Sequence, residues 1–253
     1  MYKDLSIIIP CKNEIENLKF IIPKLIQYSE DIIVVDGNSN DGTEEICAKL
    51  NVKYVLDNNL GKGDAQRIGA KMSNKNKLIF FDADGSHEEK DIPKLYDKIS
   101  ENDVDLVICS RKTGGSLDLI SNTSWSGFIR ATGTDFLAII LNKLFKTEIS
   151  DVLYSLKAIS KQKFLDLETK ENHFGIELDI ILRSIKKKYR IFELPSREKK
   201  RVYGQSGYTP LKLVRHAMNM MTGFTTMPLK FASYIGFVIA LTGIFLLIYL
   251  ISL

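Results

Sequence analysis

The sequence predicts an α/β fold, with a mainly parallel sheet that carries helices on both of its faces. Short apolar runs indicate buried strands at residues 5–9, 32–35, 53–56 and 78–81. Helical segments alternate with them at 15–28, 43–50 and 61–72, as they do in parallel sheets. Further helices are expected at 88–100, 127–145 and 176–188, and further strands at 105–109, 151–158 and 190–194.

The loops that follow the first four strands carry charged residues or glycine. The first has Pro10 and Glu14, the second has Asp36, and the third has a Gly-Lys-Gly run at 61–63 with Arg67 after it. Parallel strands end at the same edge of a sheet, and open α/β sheets bind their ligands there. We therefore expect these loops to form one site that suits a nucleoside diphosphate, with Arg67 placed to contact a base or phosphate.

The fourth strand ends in two carboxylates, Asp82 and Asp84, one residue apart. Side chains at positions i and i+2 of an extended chain point to the same side. Carboxylate oxygens are hard ligands that suit Mg²⁺ or Mn²⁺. The alternative interpretation is a strand followed by an ordinary Asp-Gly turn.

Composition places further limits on function. The chain has 253 residues, of which 45% are hydrophobic and 26% charged, so we expect a globular protein. Its net charge of +4 is too small to indicate nucleic acid, and we predict no nucleic-acid partner. Residues 186–201 hold eight Lys or Arg and two Glu, a basic stretch suited to anionic lipid headgroups. The three dispersed cysteines are expected to be reduced thiols of a cytosolic domain.

The last part of the chain differs in character. Residues 231–253 are 23 uncharged, mostly apolar residues, and a helix of that length spans about 30 Å of hydrocarbon. A buried core helix is the alternative. Basic residues precede this run, which places the large domain in the cytoplasm and the protein in the membrane, the cell membrane in a prokaryote. Residues 211–227 have the spacing of an amphipathic interface helix. The predicted parts are residues 1–208, 209–230 and 231–253.

Four motifs occur together in one order: SIIIPCKNE at 6–14, IIVVDGNSNDGT at 32–43, FFDADGSH at 80–87 and RVYGQS at 201–206. With them, residues 5–208 resemble the family 2 glycosyltransferases, which have the Rossmann-like GT-A fold, and above all the dolichyl- and polyprenyl-phosphate sugar synthases. The resemblance implies an inverting, metal-dependent transferase using Mg²⁺ or Mn²⁺. Such an enzyme moves a hexose from a nucleotide-diphosphate sugar, of GDP-mannose or UDP-glucose type, to polyprenyl or dolichyl phosphate at the cytoplasmic membrane face.

The resemblance also implies roles for individual residues. Together with Arg67, the expected nucleotide-sugar-binding residues are Pro10, Lys12, Glu14, Asp36, Asp82, Ala83 and Asp84. The expected metal-facing residues are Asp82, Asp84 and Ser86. The expected catalytic residues are Asp84, Arg111, Arg130 and Arg201, of which the arginines hold the diphosphate or the acceptor phosphate.

Two positions depart from the family pattern. Dolichyl-phosphate mannosyltransferases usually carry Lys after the Ser of the late loop, where this sequence has Gly207. Prokaryotic relatives often have Gln at the position of Ser86.

Two other functions compete with transfer to a lipid phosphate. A sugar-hydroxyl acceptor requires a general base, for which Glu177 and Asp179 are the candidates, although both also suit a structural place on a helix. A lipid phosphate is already ionised near neutral pH and needs no such base. The second alternative is a non-catalytic, membrane-tethered protein that binds sugar nucleotides.

Overall fold

A computed structural model describes residues 1–116, 125–173, 175–201, 203 and 227–252. The chain divides into two compact units, Met1–Pro210 and Leu211–Leu253. The first unit contains the sheet and the candidate site. The second contains one long described helix.

The described part of the first unit holds a seven-stranded sheet in the order β3-β2-β1-β4-β6-β5-β7. Its strands are β1 (Leu5–Cys11), β2 (Asp31–Asp36), β3 (Lys53–Leu56), β4 (Lys77–Phe80), β5 (Leu106–Ser110), β6 (Lys157–Ser160) and β7 (Ile191–Pro195). Only β6 runs antiparallel among these strands, pairing with β4 and β5. The prediction of a mainly parallel sheet is confirmed.

Helices connect most of the strands. They are α1 (Ile15–Leu25), α2 (Thr43–Lys49), α3 (Lys62–Met72), α4 (Ile92–Ile99), α5 (Trp125–Phe145), α6 (Lys161–Asp166) and α7 (Ile176–Lys186). A short 3₁₀ turn, Glu89–Asp91, precedes α4, where the sequence predicted a single helix. The short helix α6 was not predicted.

The central strands are buried on both faces, which explains their continuous apolar sequence. Ile7 and Ile9 of β1 join the core cluster with Leu18 of α1. Ile8 points to the opposite face, where it lies against Gly69 of α3, and a side chain added at Gly69 would collide with it. Helices therefore cover both faces of the sheet, and the carboxyl ends of β1 to β4 share one edge.

The strand predicted at 151–158 is wrong over most of its length. Asp151 is fully buried, and its Oδ1 accepts hydrogen bonds from the backbone N–H groups of Leu153 at 3.3 Å and Tyr154 at 3.2 Å. This local bonding folds the segment into a turn, as aspartate side chains commonly do. The strand β6 begins only at Lys157.

The second unit is described from Met227 to Ser252 as one helix, α8. Within α8, the segment Ser233–Ile251 is long and apolar enough to cross a membrane, judged by length and composition. The predicted interface helix at 211–227 lies outside the described residues, except for its last residue.

Candidate active site

Loops at the carboxyl ends of β1 to β4 surround a cavity of about 610 Å³. Two later segments complete its wall through His173 and Arg201. The predicted site residues that line this cavity are Pro10, Lys12, Glu14, Asp82, Ala83, Asp84 and Arg201. The sheet thus brings most of the expected nucleotide-sugar residues to one place.

Asp82 lies in the cavity wall just after β4. The Lys62 ammonium group lies 2.6 Å from Asp82 Oδ1, and the Ser155 hydroxyl donates a hydrogen bond to Asp82 Oδ2 at 2.5 Å. Burial acts to raise the pKa of Asp82, but the charge of Lys62 outweighs it and holds that pKa well below its usual range. The carboxylate is therefore ionised at neutral pH.

The turn after Asp82 is held by a buried histidine. His87 Nδ1 accepts a hydrogen bond from the Asp82 backbone N–H at 3.1 Å. His87 Nε2 lies 3.0 Å from the Ser155 hydroxyl, which in turn donates to Asp82. Burial lowers the pKa of His87 against the opposing effect of the Asp82 charge, so the ring is neutral. His87 therefore shapes the turn and does not line the cavity.

Asp84 faces a cation that comes from the far end of the first unit. Arg201 Nη2 lies 2.9 Å from Asp84 Oδ2, and Arg201 Nη1 lies 3.1 Å from Glu14 Oε1. The other Asp84 oxygen accepts a hydrogen bond from the Ser86 backbone N–H at 3.0 Å. Arg201 thus neutralises acidic side chains from the loops after β1 and β4.

The glycine-rich loop brings Lys62 to the cavity at the start of α3. Gly61 has φ +112, a conformation that favours glycine. Gly63 donates from its backbone N–H to the Asn172 carbonyl at 2.8 Å, and a side chain there would collide with the Glu171 carbonyl. These contacts place Lys62 between Asp82 and Glu177.

Asp36 does not line the cavity in the described part of the chain. It is fully buried, and its carboxylate accepts hydrogen bonds from Ser39 N–H at 3.0 Å and from the Tyr54 hydroxyl at 2.9 Å. Its oxygens are thus engaged inside the protein. Asp57, directly after β3, is a carboxylate that does line the cavity, and burial raises its pKa.

Arg67 and Ser86 also lie outside the cavity lining among the described residues. The Arg67 guanidinium donates to the Glu171 carbonyl at 2.8 Å and to the Asn172 side chain, so it anchors the 171–172 segment. Ser86 is buried, and its carbonyl accepts from the Lys199 N–H at 2.7 Å. Contacts of these two residues with base, phosphate or metal stay predictions.

Arg111 belongs to a buried ion-pair cluster and is not part of the cavity lining. Its Nε lies 2.7 Å from Asp151 Oδ2, and its Nη1 lies 3.2 Å from Glu198 Oε2. Two carboxylates thus share one guanidinium, and Arg111 is only 5% exposed. Arg130 lies on α5, and its side chain is outside the described part of the structure. The catalytic roles of both arginines stay predictions.

Asp57 and His173 are titratable residues of the wall that the sequence did not assign to the site. Asp57 directly follows β3, so the rule that found the other loops also applies to it. His173 lies more than a hundred residues after Asp57 in the chain, and no local sequence pattern marks it as a site residue. Lys12 extends across the same cavity, donating to the Asn59 side chain at 2.9 Å.

The two candidate bases, Glu177 and Asp179, occupy structural positions on α7. Glu177 is 2% exposed and lies between the ammonium groups of Lys157 and Lys62. Asp179 accepts hydrogen bonds from the backbone of Lys170 at 2.8 Å and from Arg183 Nε at 2.6 Å. Neither carboxylate lines the cavity.

The residues present fit a divalent ion. The described residues contain no group of three or more His, Cys, Asp or Glu side chains arranged around a common point. Two carboxylates, Asp82 and Asp84, nevertheless line one cavity, and Asp82 is held ionised there. Ligands that the protein does not supply can come from diphosphate oxygens, which Mg²⁺ commonly uses.

The family profile described as Glycosyl transferase family 2 matches residues 6–167, more than half of the chain. The chain belongs to glycosyl transferase family 2. This confirms the family resemblance and makes the chain a glycosyltransferase.

Several curated relatives of this family 2 chain are undecaprenyl-phosphate sugar transferases by name. One is the undecaprenyl-phosphate 4-deoxy-4-formamido-L-arabinose transferase of Serratia proteamaculans, 25% identical over 99% of this chain and 77% of the relative. The protein of the same name in Proteus mirabilis is 26% identical over 98% of this chain and 76% of the relative. An uncharacterised glycosyltransferase of Mycobacterium bovis is 25% identical over 75% of this chain and 83% of its own length.

Among solved structures, the fold matches glucosyl-3-phosphoglycerate synthase of Mycobacterium tuberculosis in complex with Mn²⁺, UDP and glucosyl-3-phosphoglycerate. The TM-score is 0.60 at 15% identity, covering 85% of this chain and 76% of that one. A second complex of the synthase, with Mn²⁺, UDP-glucose and glycerol 3-phosphate, has a TM-score of 0.59 at 15% identity over the same shares of both chains. The predicted GT-A fold is confirmed.

Proposed function

We propose that this chain transfers a sugar from a nucleotide-diphosphate sugar to polyprenyl phosphate at the cytoplasmic face of a membrane, with inversion at the anomeric carbon. The observation that carries the proposal is the pairing of acidic groups around the Asp82–Asp84 end of the cavity. Among the described residues, Glu14 and Asp84 pair with Arg201, while Asp82 and Glu177 pair with Lys62.

This pairing favours an acceptor that arrives already ionised. A hydroxyl acceptor requires a carboxylate that is free to take up a proton, whereas each of these four carboxylates is paired with Lys62 or Arg201. A phosphate monoester carries its own nucleophilic oxygen at neutral pH. The protein then has to align the two substrates, exclude water and stabilise the departing diphosphate.

The donor end of the cavity suits a nucleoside diphosphate. Pro10, Lys12 and Glu14 would contact the nucleotide, and Lys62 and Arg201 supply positive charge beside Asp82 and Asp84. Asp82 and Asp84 would hold a divalent ion, Mg²⁺ or Mn²⁺, which neutralises charge on the leaving diphosphate when bound. The use of Mn²⁺ with UDP by structural relatives supports this assignment.

The acceptor assignment rests on the relatives and on the second unit. Undecaprenyl-phosphate sugar transferases align with 98% or more of this chain, including its apolar end. The apolar segment Ser233–Ile251 would anchor the protein to the bilayer that carries the lipid. Lys230 and the basic stretch at 186–201 precede that segment in sequence, which favours a cytoplasmic catalytic unit. The parts proposed are 1–208 for catalysis, 209–230 at the membrane interface and 231–253 as the span.

The test uses the full chain in detergent with Mn²⁺ and labelled donors, including UDP-glucose and GDP-mannose. Each donor is offered undecaprenyl phosphate, dolichyl phosphate or an oligosaccharide. We expect label in the lipid fraction with a polyprenyl phosphate and none on the oligosaccharide. Label on the oligosaccharide alone would instead support the hydroxyl-acceptor alternative.

A further inference from the structure

Four side chains of alternating charge form a line that leads from the core to the cavity. Lys157 Nζ lies 2.5 Å from Glu177 Oε2, Glu177 Oε1 lies 3.0 Å from Lys62 Nζ, and the same Nζ lies 2.6 Å from Asp82 Oδ1. Lys62 and Asp82 belong to the cavity wall, whereas Lys157 and Glu177 are buried behind it at 1% and 2% exposure. Lys157 and Glu177 do not line the cavity, so neither has a direct role in the transfer of a sugar to a phosphate.

We propose that Glu177, itself fixed by Lys157, is a positioning residue that holds the Lys62 ammonium group in the cavity for the diphosphate of the donor. The inference rests on the proposed function, because it takes a nucleoside diphosphate as ligand. Within the described part of the chain, Lys62 pairs with Asp82, which lines the cavity, and with Glu177, which does not. A ligand bound in the cavity can therefore reach Asp82 but not Glu177.

The charges explain why two partners are needed. The two lysines and two carboxylates of the line sum to zero, which makes burial of the group tolerable. A divalent ion at Asp82 would take that carboxylate away from Lys62. The remaining three groups then carry one net positive charge, and a diphosphate oxygen next to Lys62 compensates it. Glu177 keeps Lys62 in place during this exchange of partners.

The position of Lys157 is set by the sheet. On β6, Lys157 pairs with Phe80 of β4, and Phe80 lies two residues before Asp82. Its ammonium group also donates to the Tyr154 carbonyl. Glu177 receives a further hydrogen bond from Gln66 Nε2 at 3.3 Å. Lys157, Gln66 and Glu177 therefore belong to β6, α3 and α7, which are rigid elements around the glycine-rich loop.

The competing explanation is that Lys157 and Glu177 form a core ion pair with no effect on ligands. The variant Glu177→Gln alone would leave Lys157 buried without a carboxylate, which endangers folding. The double variant Lys157→Met/Glu177→Gln removes both charges together and keeps similar volumes. A double variant at another ion pair, Lys163→Met/Asp105→Asn, serves as the matched control.

The experiment measures binding of UDP and UMP, and of GDP and GMP, to the full chain in detergent by calorimetry, with Mn²⁺ and separately with EDTA. The quantity of interest is the ratio of diphosphate to monophosphate affinity. We expect this ratio to be about tenfold lower in the double variant than in the wild type, which is the size of one charge-assisted hydrogen bond. The affinity for the monophosphate should stay within about twofold of the wild-type value. Lys62→Met should lose the same amount, and adding it to the double variant should cause no further loss.

An unchanged ratio in the folded double variant, with wild-type thermal stability, would overturn the inference and leave the proposed function standing. A ratio lowered equally by the Lys163→Met/Asp105→Asn control would also overturn it, because the effect would then be general. Failure of the wild-type chain to bind either diphosphate would overturn the donor assignment of the proposed function and this inference together.

Discussion

Arg201 Nη2 lies 2.9 Å from Asp84 Oδ2, a contact between residues 117 positions apart in sequence. The same guanidinium reaches Glu14, 187 positions away, at 3.1 Å. One cation therefore connects the segment after β7 with the loops after β1 and β4. The contact places Arg201, the first residue of the late motif, in one cavity with the Asp-Ala-Asp motif, as the proposed transfer of a sugar requires.

Replacing Asp84 tests the metal assignment. Asp84→Ala removes one of two carboxylates that would hold the ion, so we expect turnover to fall by roughly 10²–10³-fold, the effect of losing one group that stabilises developing charge. Initial rates at several Mn²⁺ concentrations give the measurement. Asp135→Asn is the control, since Asp135 pairs with Lys112 at the surface, outside the cavity. An Asp84→Ala protein with unchanged turnover would exclude the proposed mechanism.

Replacing Arg201 tests whether its guanidinium serves the phosphates. Arg201→Gln leaves Glu14 and Asp84 without their cation, and we expect kcat/KM to fall by about 10- to 100-fold through weaker stabilisation of the leaving group. Arg201→Lys should recover only part of the rate, because an ammonium group lacks the planar fork of Arg. The control is Arg190→Gln, whose side chain is 60% exposed. Wild-type kinetics in Arg201→Gln would contradict the assignment.

Replacing Arg111 is expected to act on stability. Arg111→Met leaves Asp151 fully buried without its cation, and breaking a buried pair costs about 3–5 kcal/mol. Urea unfolding of the full chain in detergent, followed by near-UV circular dichroism, measures the change. Lys112→Met, at a neighbouring exposed pair, should change stability by less than about 1 kcal/mol. Loss of turnover without loss of stability would instead place Arg111 in the chemistry.

The same pair predicts a pH dependence of stability. Burial acts to raise the pKa of Asp151, but the charge and hydrogen bonds of Arg111 outweigh it and lower that pKa below its usual value. A carboxylate with a lowered folded-state pKa stabilises the fold above its unfolded pKa of about 3.9 and loses that contribution as pH falls. We expect Asp151→Asn to lower the free energy of unfolding at pH 7. That free energy should also fall less steeply than in the wild type as the pH is lowered. An equally steep fall of the free energy of unfolding at acidic pH in Asp151→Asn and the wild type would contradict a contribution from Asp151.

The sequence predicted the half of the site that follows the strands. Each of the first four strands is an apolar run followed by a charged or glycine-rich loop. Parallel pairing brings the carboxyl ends of these strands together. Pro10, Glu14 and Asp84 could therefore be found by position. The fold could be predicted for the same reason, since alternating strands and helices permit few topologies.

The remaining features depend on long-range contacts that leave no local pattern. Arg111 has the residue type of a phosphate ligand, but its partner Asp151 lies 40 positions away on another segment. Asp36 has the position of a ligand, but Tyr54 and Ser39 engage its oxygens. The strand expected at 151–158 fails because the Asp151 carboxylate bonds to its own backbone, which competes with strand pairing.

The most direct test of the proposed reaction is the linkage formed in the lipid product. The full chain is incubated with Mn²⁺, a labelled nucleotide sugar and undecaprenyl phosphate whose terminal oxygens carry ¹⁸O, and the product is analysed by mass spectrometry and NMR. We expect a sugar joined to the lipid through one phosphate, with ¹⁸O at the anomeric carbon and the anomeric configuration opposite to that of the donor. A product with two phosphates, a retained configuration, or ¹⁶O at that carbon would contradict the proposed reaction.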